Sequence, residues 1–296
     1  MTPFDRQSVL EGSNAAAALE VVNRRKLVVP KAVGVATDVL AKLDELAQAA
    51  DPSAPELPTV AAAVEKVLAD AADRRVRATA LRSIASELRN EAVTNQNAAV
   101  LNSGSGWVQA LCDVFAEHLE ILRELAPSTP RIEASQISNL GAAQFEVWSR
   151  CANAVINLEV LIEDRAAFAR LLTQPHASHW GPRLPLIAAV TPPIGTSDVI
   201  SRGFLERILI KETMLVKDAT TRWFDLLELE SRGWLRLSLA TVSGLGSRVA
   251  LIDAWPQSFE ALSFRGDGGA TFEEIVTNAG RAWRDLGEST GSASAP

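Results

Sequence analysis

The sequence predicts a mainly α protein, in which an N-terminal bundle of long amphipathic helices is joined to a smaller α+β domain. Residues 59–103 contain neither glycine nor proline, and their apolar side chains recur at alternating four- and three-residue steps, which is helix spacing. After Gln174 that spacing is lost, and loop motifs and a strand-like alternation follow. We therefore expect an N-terminal helical arm and linker over residues 1–58, a long-helix bundle over 59–175, and an α+β domain over 181–288.

Composition sets the broad class of protein. Of the 296 residues 47% are apolar, enough for a sizeable core, and the net charge of −7 argues against a surface built for nucleic acid. The cysteines, Cys112 and Cys151, are too few for a disulfide framework and are expected as buried thiols. The first residues hold no apolar block, and no apolar run approaches the roughly 20 residues of a membrane span. A cytoplasmic protein without membrane contact is expected.

Two helices and a linker are predicted before the long helix. Ser13 or Asn14 caps a helix that ends at Arg25. The second helix, residues 35–50, places five apolar side chains on one face: Val39, Leu40, Leu43, Leu46 and Ala47. The segment DPSAPELP follows, and its three prolines predict a stiff linker.

The long helix carries an apolar seam, and this seam is the predicted interaction surface. Its members are Val60, Val64, Val67, Ala71, Ala78, Leu81, Ala85, Leu88 and Ala92, with Arg74 as the one interruption. A helix over residues 59–93 is roughly 50 Å long, more than one compact core needs. The seam is therefore expected to lie along a partner helix.

Arg74 allows two interpretations. In one, the seam rotates at this point and Val76 takes the buried position. In the other, Arg74 faces the partner and forms a polar layer that fixes the register of the two helices. This requires either a carboxylate on the partner or an extended Arg74 side chain whose guanidinium reaches water. Acid-first pairs of Asp70 with Arg74 and Asp73 with Arg77 support the helix here by about 0.3–0.5 kcal/mol each.

Two further helices complete the predicted bundle. The segment LNSGSG, residues 101–106, is expected as a flexible break before a helix over residues 107–125. That helix has one apolar stripe with His118 at its border: Trp107, Leu111, Phe115, Leu122 and Leu125. The last helix of the bundle begins at Ser138 or Asn139 and carries apolar residues to Leu172, with a break expected at Asp164.

The C-terminal region predicts a β-hairpin and one more helix. Residues 234–240 alternate between apolar and polar, which indicates a half-buried strand. The turn SGLGS then leads into a second strand over residues 248–253, so the hairpin spans 234–253. Thr271 and Glu274 form a capping box that opens a helix. Residues 289–296 are expected as a disordered tail.

Residues 197–253 resemble a winged helix. A helix capped by Ser197, a short helical piece, a helix over residues 219–232 ended by Gly233, and the predicted hairpin follow the order of that fold. The resemblance implies DNA binding through the third helix, whose counterparts offer basic or amide side chains to base edges. In this chain that helix carries three acidic side chains beside Arg222: Asp225, Glu228 and Glu230.

No group of residues predicts a particular chemistry. His176 and His179 lack the further ligands of a metal site, and Glu159 with Glu163 is expected as a solvated helix face. The segment FRGDGG, residues 264–269, lacks the lysine of a phosphate-binding loop and is expected as a turn. We therefore predict no catalytic residue, no cofactor and no metal ligand.

The predicted function is non-enzymatic: a structural, assembly or scaffolding protein that forms a homo-oligomer or docks on a helical protein partner. The interaction residues are Val60, Val64, Val67, Ala71, Arg74, Leu81 and Leu88. Trp180, Trp234 and Trp255 are candidates for further contacts. One alternative is a regulator that dimerises through its helices and binds nucleic acid through the winged-helix-like part. Another is an enzyme whose site forms only in three dimensions.

Overall fold

The computed structural model describes residues 3–50, 52–53, 56, 64–132, 134–175, 178, 181–190, 210 and 213–263, with side chains described outside 3–12, 134–136 and 254–263. The chain is mainly helical, as predicted. Its α-helices are α1 Pro3–Arg25, α2 Lys31–Ala47, α3 Val64–Leu125, α4 Ala142–Leu171, α5 Leu184–Ile187, α6 Ala219–Ser231 and α7 Val242–Ser263. Two strands, β1 Ala188–Val190 and β2 Leu235–Leu237, form a small sheet.

The chain divides into two compact units, Met1–Gly104 and Ser105–Pro296. The first contains α1, α2 and the N-terminal two thirds of α3. The second contains the rest of α3, helices α4 to α7 and the sheet. Among the described residues, no helix combines the length and the apolar character needed to cross a membrane.

Helix α3 runs without interruption for 62 residues, so the predicted break at LNSGSG is wrong. Val100, Trp107 and Val108 are buried on either side of this segment. The free energy gained by burying these side chains offsets the cost of a glycine inside a helix, which is about 1 kcal/mol relative to alanine. A Cβ at Gly106 would meet nothing within 4 Å, so neither a close approach nor a turn requires this glycine.

Helix α2 packs antiparallel to α3 in the first unit. Gln96 Nε2 donates to Thr37 Oγ1 at 3.0 Å, and Arg89 Nε contacts Asp44 Oδ1 at 2.6 Å. The two pairs are seven residues apart on each helix and run in opposite directions. At this spacing Ala47, the last residue of α2, falls opposite Ser86, so α2 lies beside the part of α3 that follows residue 84.

The core of the second unit is built from α3, α4 and α6. The rings of Phe115 and Trp223 are 6.0 Å apart, and those of Trp107 and Phe168 are also 6.0 Å apart. Helix α4 continues to Leu171, so the predicted break at Asp164 is wrong. Asp164 is fully buried inside the helix.

The sheet pairs strands that are distant in sequence. β1 and β2 are antiparallel, with Ala188 opposite Leu237 and Val190 opposite Leu235. The alternation around residue 235 therefore predicted a real strand, but the hairpin over 234–253 is wrong because residues from Val242 onward form α7. The glycines of SGLGS lie inside this helix. Its buried face consists of Leu245, Val249 and Ile252, spaced by four and three residues.

Helix α6 matches the third predicted helix of the winged-helix resemblance, but no wing follows it. The side chain of Asp218 caps α6 by accepting a hydrogen bond from the Thr221 N–H at 2.7 Å. The helix capped by Ser197, the segment FRGDGG, the predicted helix from Thr271 and the tail all lie outside the described residues.

Three helices end with a residue in the left-handed conformation. After α1, Lys26 has φ +53° and the Leu27 N–H donates to the Val22 carbonyl at 2.9 Å. After α6, Gly233 has φ +74° and the Trp234 N–H donates to the Leu229 carbonyl at 3.1 Å. After α4, Thr173 has φ +51° and the Gln174 N–H donates to the Ala169 carbonyl at 2.9 Å. Glycine adopts this conformation without strain, whereas for a β-branched residue it is an outlier. Thr173 is therefore a strained helix end.

Thr173→Gly is expected to raise the free energy of unfolding by about 0.5–1 kcal/mol, because relief of the left-handed strain exceeds the entropy that glycine adds to the unfolded chain. Gly233→Ala is the matched opposite change. A Cβ there meets nothing within 4 Å, so its expected loss of about 1 kcal/mol is purely conformational. Urea unfolding measures both. A loss of stability in Thr173→Gly would mean that the Thr173 side chain itself stabilises the helix end.

Candidate interaction surface on helix α3

An apolar groove lies between α2 and α3 in the first unit. Its volume is about 610 Å³, and its lining is Lys31, Ala32, Val35, Ala36 and Val39 from α2 with Ala92, Asn95 and Ala99 from α3. Val35 and Val39 are one helical turn apart, and both are exposed at the groove. The groove therefore offers an apolar surface that the described residues of the first unit leave partly open.

The α3 side of this groove continues along the helix as an exposed apolar face. Leu81, Ile84 and Leu88 precede Ala92, Asn95 and Ala99 at three- and four-residue steps, which places them on the same side of α3. All three large side chains are exposed. The sequence pattern predicted Leu81 and Leu88 on this face. It missed Ile84 and the α2 residue Val35, although the four-residue spacing of Val35 and Val39 was available as a signal.

Residues 64–84 form an extension of α3 beyond the end of α2. Every residue in this α3 extension is exposed or half-buried. Only one of its large apolar side chains, Val67, is half-buried. The other five are between 39% and 67% exposed: Val64, Leu68, Val76, Leu81 and Ile84. By contrast, Ala85 and Ala92, two of the three seam positions alongside α2, are buried, whereas the third, Leu88, is exposed. Buried seam residues among the described ones thus occur only alongside α2.

The predicted seam residues occupy the following places. Val60 lies outside the described residues, Val67 and Ala71 are half-buried, and Val64, Leu81 and Leu88 are exposed. Arg74 is exposed, and its Nε donates to the Asp70 carbonyl at 3.2 Å. Val76 is the most exposed of the large apolar residues in the extension.

The three tryptophans expected at further contacts are described only in part. Trp180 lies outside the described residues, and Trp255 lies in α7 where side chains are not described. Trp234 is half-buried, with the Arg232 guanidinium 5.3 Å from its ring centroid. The ring of Trp234 is therefore engaged within the second unit.

Charge is divided along the α3 extension. Residues 64–73 carry three acidic side chains, Glu65, Asp70 and Asp73, and one basic side chain, Lys66. Residues 74–84 carry only basic charges: Arg74, Arg75, Arg77 and Arg82. The first half therefore has a net charge of −2 and the second half a net charge of +4, so the net charge changes sign along the extension.

Glu159 is the centre of an ion-pair cluster in the second unit, and the predicted solvated face is wrong at this position. Its Oε1 accepts from Trp223 Nε1 and Arg222 Nη2, both at 2.8 Å, and its Oε2 accepts from Arg183 Nη1 at 2.7 Å. Burial raises the pKa of Glu159, but the hydrogen bonds from Arg222 and Trp223 and the charges of Arg222 and Arg183 outweigh it and lower the pKa overall. Glu159 is therefore held as a carboxylate that ties α6 to α4.

The acidic residues of α6 are also engaged within the second unit. Arg123 Nη2 contacts Glu230 Oε1 at 2.8 Å and Oε2 at 2.9 Å, and the Leu237 N–H donates to Glu230 Oε1 at 2.7 Å. Arg131 contacts Asp225 at 3.2 Å and Glu228 at 3.3 Å. These side chains join α6 to the end of α3 and to β2, which gives them a structural role.

A buried basic cluster lies where α4 meets the start of α7. Arg165 is fully buried, with Nε donating to the Ala240 carbonyl at 2.7 Å and Nη2 donating to Gln174 Oε1 at 2.9 Å. Arg248 donates to the Ser238 carbonyl and Oγ, both at 2.7 Å. Burial lowers the pKa of both arginines to about 10. Arg165 and Arg248 thus hold the segment after β2 in place by donating hydrogen bonds to its backbone carbonyl groups.

The described residues hold no group of three or more histidine, cysteine, aspartate or glutamate side chains that could bind a metal ion. His118 is half-buried on α3, and His176 and His179 lie outside the described residues. Burial raises the pKa of Cys112 and of Cys151, which keeps both as thiols.

Comparisons of the chain with protein-family models, with curated proteins and with solved structures find no significant match. The function therefore has to be inferred from the surfaces of this chain alone. Among the described residues, the α3 extension and the adjoining groove expose several large apolar side chains along one helix pair.

Proposed function

We propose that this protein is a non-enzymatic structural or assembly protein that self-associates through the α3 extension. The observation that supports this function is a helical segment of about six turns with no buried residue, which nevertheless exposes Val64, Leu68, Leu81 and Ile84 at or beside the seam. A solvated helix of this length has no reason to carry four large apolar side chains there. Val76 is seven residues before Ser83, on the side of α3 opposite the seam, and does not belong to this surface.

Helix physics favours a partner for this extension. Most helical stability in proteins comes from packing of an apolar face, and no residue of the extension is buried by such packing in the single chain. Burial of each large aliphatic side chain contributes about 1.5–3 kcal/mol. A partner that covers the extension therefore has two effects at the same time: it stabilises the helix, and it removes apolar surface from water.

The alternative of DNA binding has less support. The second strand of the expected wing, residues 248–253, is part of α7, and the acidic side chains of α6 contact Arg123 and Arg131. Arg222, the one basic residue within that helix, is buried against Glu159. A function as an enzyme has no supporting cluster among the described residues.

Leu81→Glu is expected to weaken self-association at least about 100-fold, because it places a charge in an apolar contact that occurs twice in a symmetric dimer. Sedimentation velocity measures the change in dissociation constant. Ser83→Glu is the matched control: it adds the same charge two residues away on the solvated side of α3, and association is expected to stay unchanged. Equal association by Leu81→Glu and the unsubstituted chain would reject the α3 extension as the interface.

A further inference from the structure

We infer that the partner of the α3 extension is the same extension of a second copy of this chain, packed antiparallel and centred between Ala72 and Asp73. This inference rests on the proposed function and specifies its interface. Two observations carry it: the positions of the seam residues and the division of charge along the extension.

The described part of the extension accommodates this pairing beside α2. The α2–α3 contacts place the end of α2 opposite Ser86. With the centre between Ala72 and Asp73, Val64 of the second copy lies opposite Leu81, a seam residue that α2 does not reach.

The seam residues interdigitate in this arrangement. The seam consists of two rows, and within each row the positions are seven residues apart. One row contains Val64, Ala71 and Ala78, and the other contains Val67, Arg74 and Leu81. Around the proposed centre each residue of one row meets a residue of the other row. The layers are Val64 with Leu81, Val67 with Ala78, and Ala71 with Arg74 of the second copy, which is the pattern of an antiparallel coiled coil.

Charge selects the antiparallel direction. Antiparallel packing places the −2 half of each extension, residues 64–73, beside the +4 half, residues 74–84, of the other copy. Parallel packing places the four arginines of one copy beside the same four arginines of the other, which is destabilising. The direction follows from the charges alone, independently of the apolar layers.

Arg74 has a role in this arrangement. It lies against the small side chain of Ala71 of the second copy and within one helical turn of that copy's Asp70 and Asp73. Arg74 is exposed in the single chain and its Nε donates to the Asp70 carbonyl, so its terminal guanidinium nitrogens can reach these carboxylates. Arg74 then fixes the register of the dimer, because a shift by one heptad removes both acidic neighbours.

Spin-label distances test the arrangement on the full-length chain. A label at Ser83→Cys lies on the solvated side of α3, about 21 residues along the helix axis from its counterpart in the antiparallel dimer. We expect a distance of about 35–40 Å between the labels, whereas a parallel dimer gives about 15–20 Å. A label at Ala72→Cys, beside the centre, is expected within about 20 Å in both arrangements. The unsubstituted chain, labelled under the same conditions, supplies the background from Cys112 and Cys151.

The outcomes separate this inference from the proposed function. A dimer with the short Ser83→Cys distance overturns the antiparallel arrangement and leaves self-association intact. A chain that remains a monomer overturns both. A dimer with long distances at both positions places the interface elsewhere on the chain and also overturns both.

A charge exchange gives an independent readout. In the antiparallel arrangement Asp70 of each copy lies on the same side of the seam as Arg77 of the other. Asp70→Arg alone is expected to weaken the dimer about tenfold, and the combined change Asp70→Arg with Arg77→Asp is expected to recover most of that loss. A combined variant that is no stronger than the single variant would contradict the pairing.

Discussion

Glu159→Ala is expected to lower the free energy of unfolding of the second unit by about 3 kcal/mol. The change leaves the Arg222 guanidinium, whose side chain is only 10% exposed, without its carboxylate, and it leaves Trp223 Nε1 without an acceptor. Removal of one member of a buried ion pair costs about 3–5 kcal/mol, and the lower end applies because the Glu159 side chain retains 19% exposure. Urea unfolding followed by tryptophan fluorescence measures the loss.

Glu163→Ala is the matched control for this prediction. Glu163 lies one turn further along α4 and contacts the same Arg183, at 2.6 Å, but its side chain is 64% exposed. An exposed pair of this kind contributes at most about 1 kcal/mol. Equal losses in Glu159→Ala and Glu163→Ala would mean that burial does not set the strength of this cluster.

The pKa of Glu159 adds a pH dependence. The folded chain lowers this pKa below the ordinary value of 4.5, because the hydrogen bonds and charges of Arg222, Trp223 and Arg183 outweigh burial. The stabilisation from the carboxylate is therefore complete above the ordinary pKa and is lost as the pH falls through the lowered folded value. The difference in stability between the unsubstituted chain and Glu159→Ala is expected to be constant near neutral pH and to shrink in acid.

Gly106→Pro is expected to lower the free energy of unfolding by about 3 kcal/mol or more, because proline removes a backbone hydrogen bond from the interior of α3 and clashes with the preceding turn. Gly106→Ala is expected to raise it by about 1 kcal/mol, since the site is helical and a Cβ there has room. Thermal unfolding and circular dichroism measure both changes.

The opposite signs of the two Gly106 variants make the experiment specific for a continuous helix. In a flexible linker, as the sequence LNSGSG suggests, proline would be tolerated and both variants would differ little from the unsubstituted chain. Tolerance of Gly106→Pro would therefore contradict the continuity of α3 across residues 101–106.

The elements predicted correctly are those whose signal is local. The seam spacing predicted the long helix, and the alternation of Leu235, Arg236 and Leu237 predicted β2. Local signals failed where distant contacts decide the structure. The glycines near residues 104–106 and 244–246 indicated breaks, but burial of Trp107 and Leu245 keeps both segments helical.

The segment that a strand pairs with, and the charged groups that an acidic side chain contacts, also depend on tertiary structure. β2 pairs with residues 188–190, which lie far earlier in the chain and which no turn motif indicates. Glu159 was expected to be solvated because neither Arg183 nor Arg222 is near it in sequence. For the candidate surface, spacing predicted the row from Val64 to Leu88, whereas the end of α2 and the resulting extension required the α2–α3 contacts.

The mass of the unsubstituted chain in solution tests the central claim most directly. Light scattering over a range of protein concentrations is expected to show a mass that rises toward twice the chain mass of 31.7 kDa. A mass that stays at 31.7 kDa at every concentration would contradict self-association through the α3 extension.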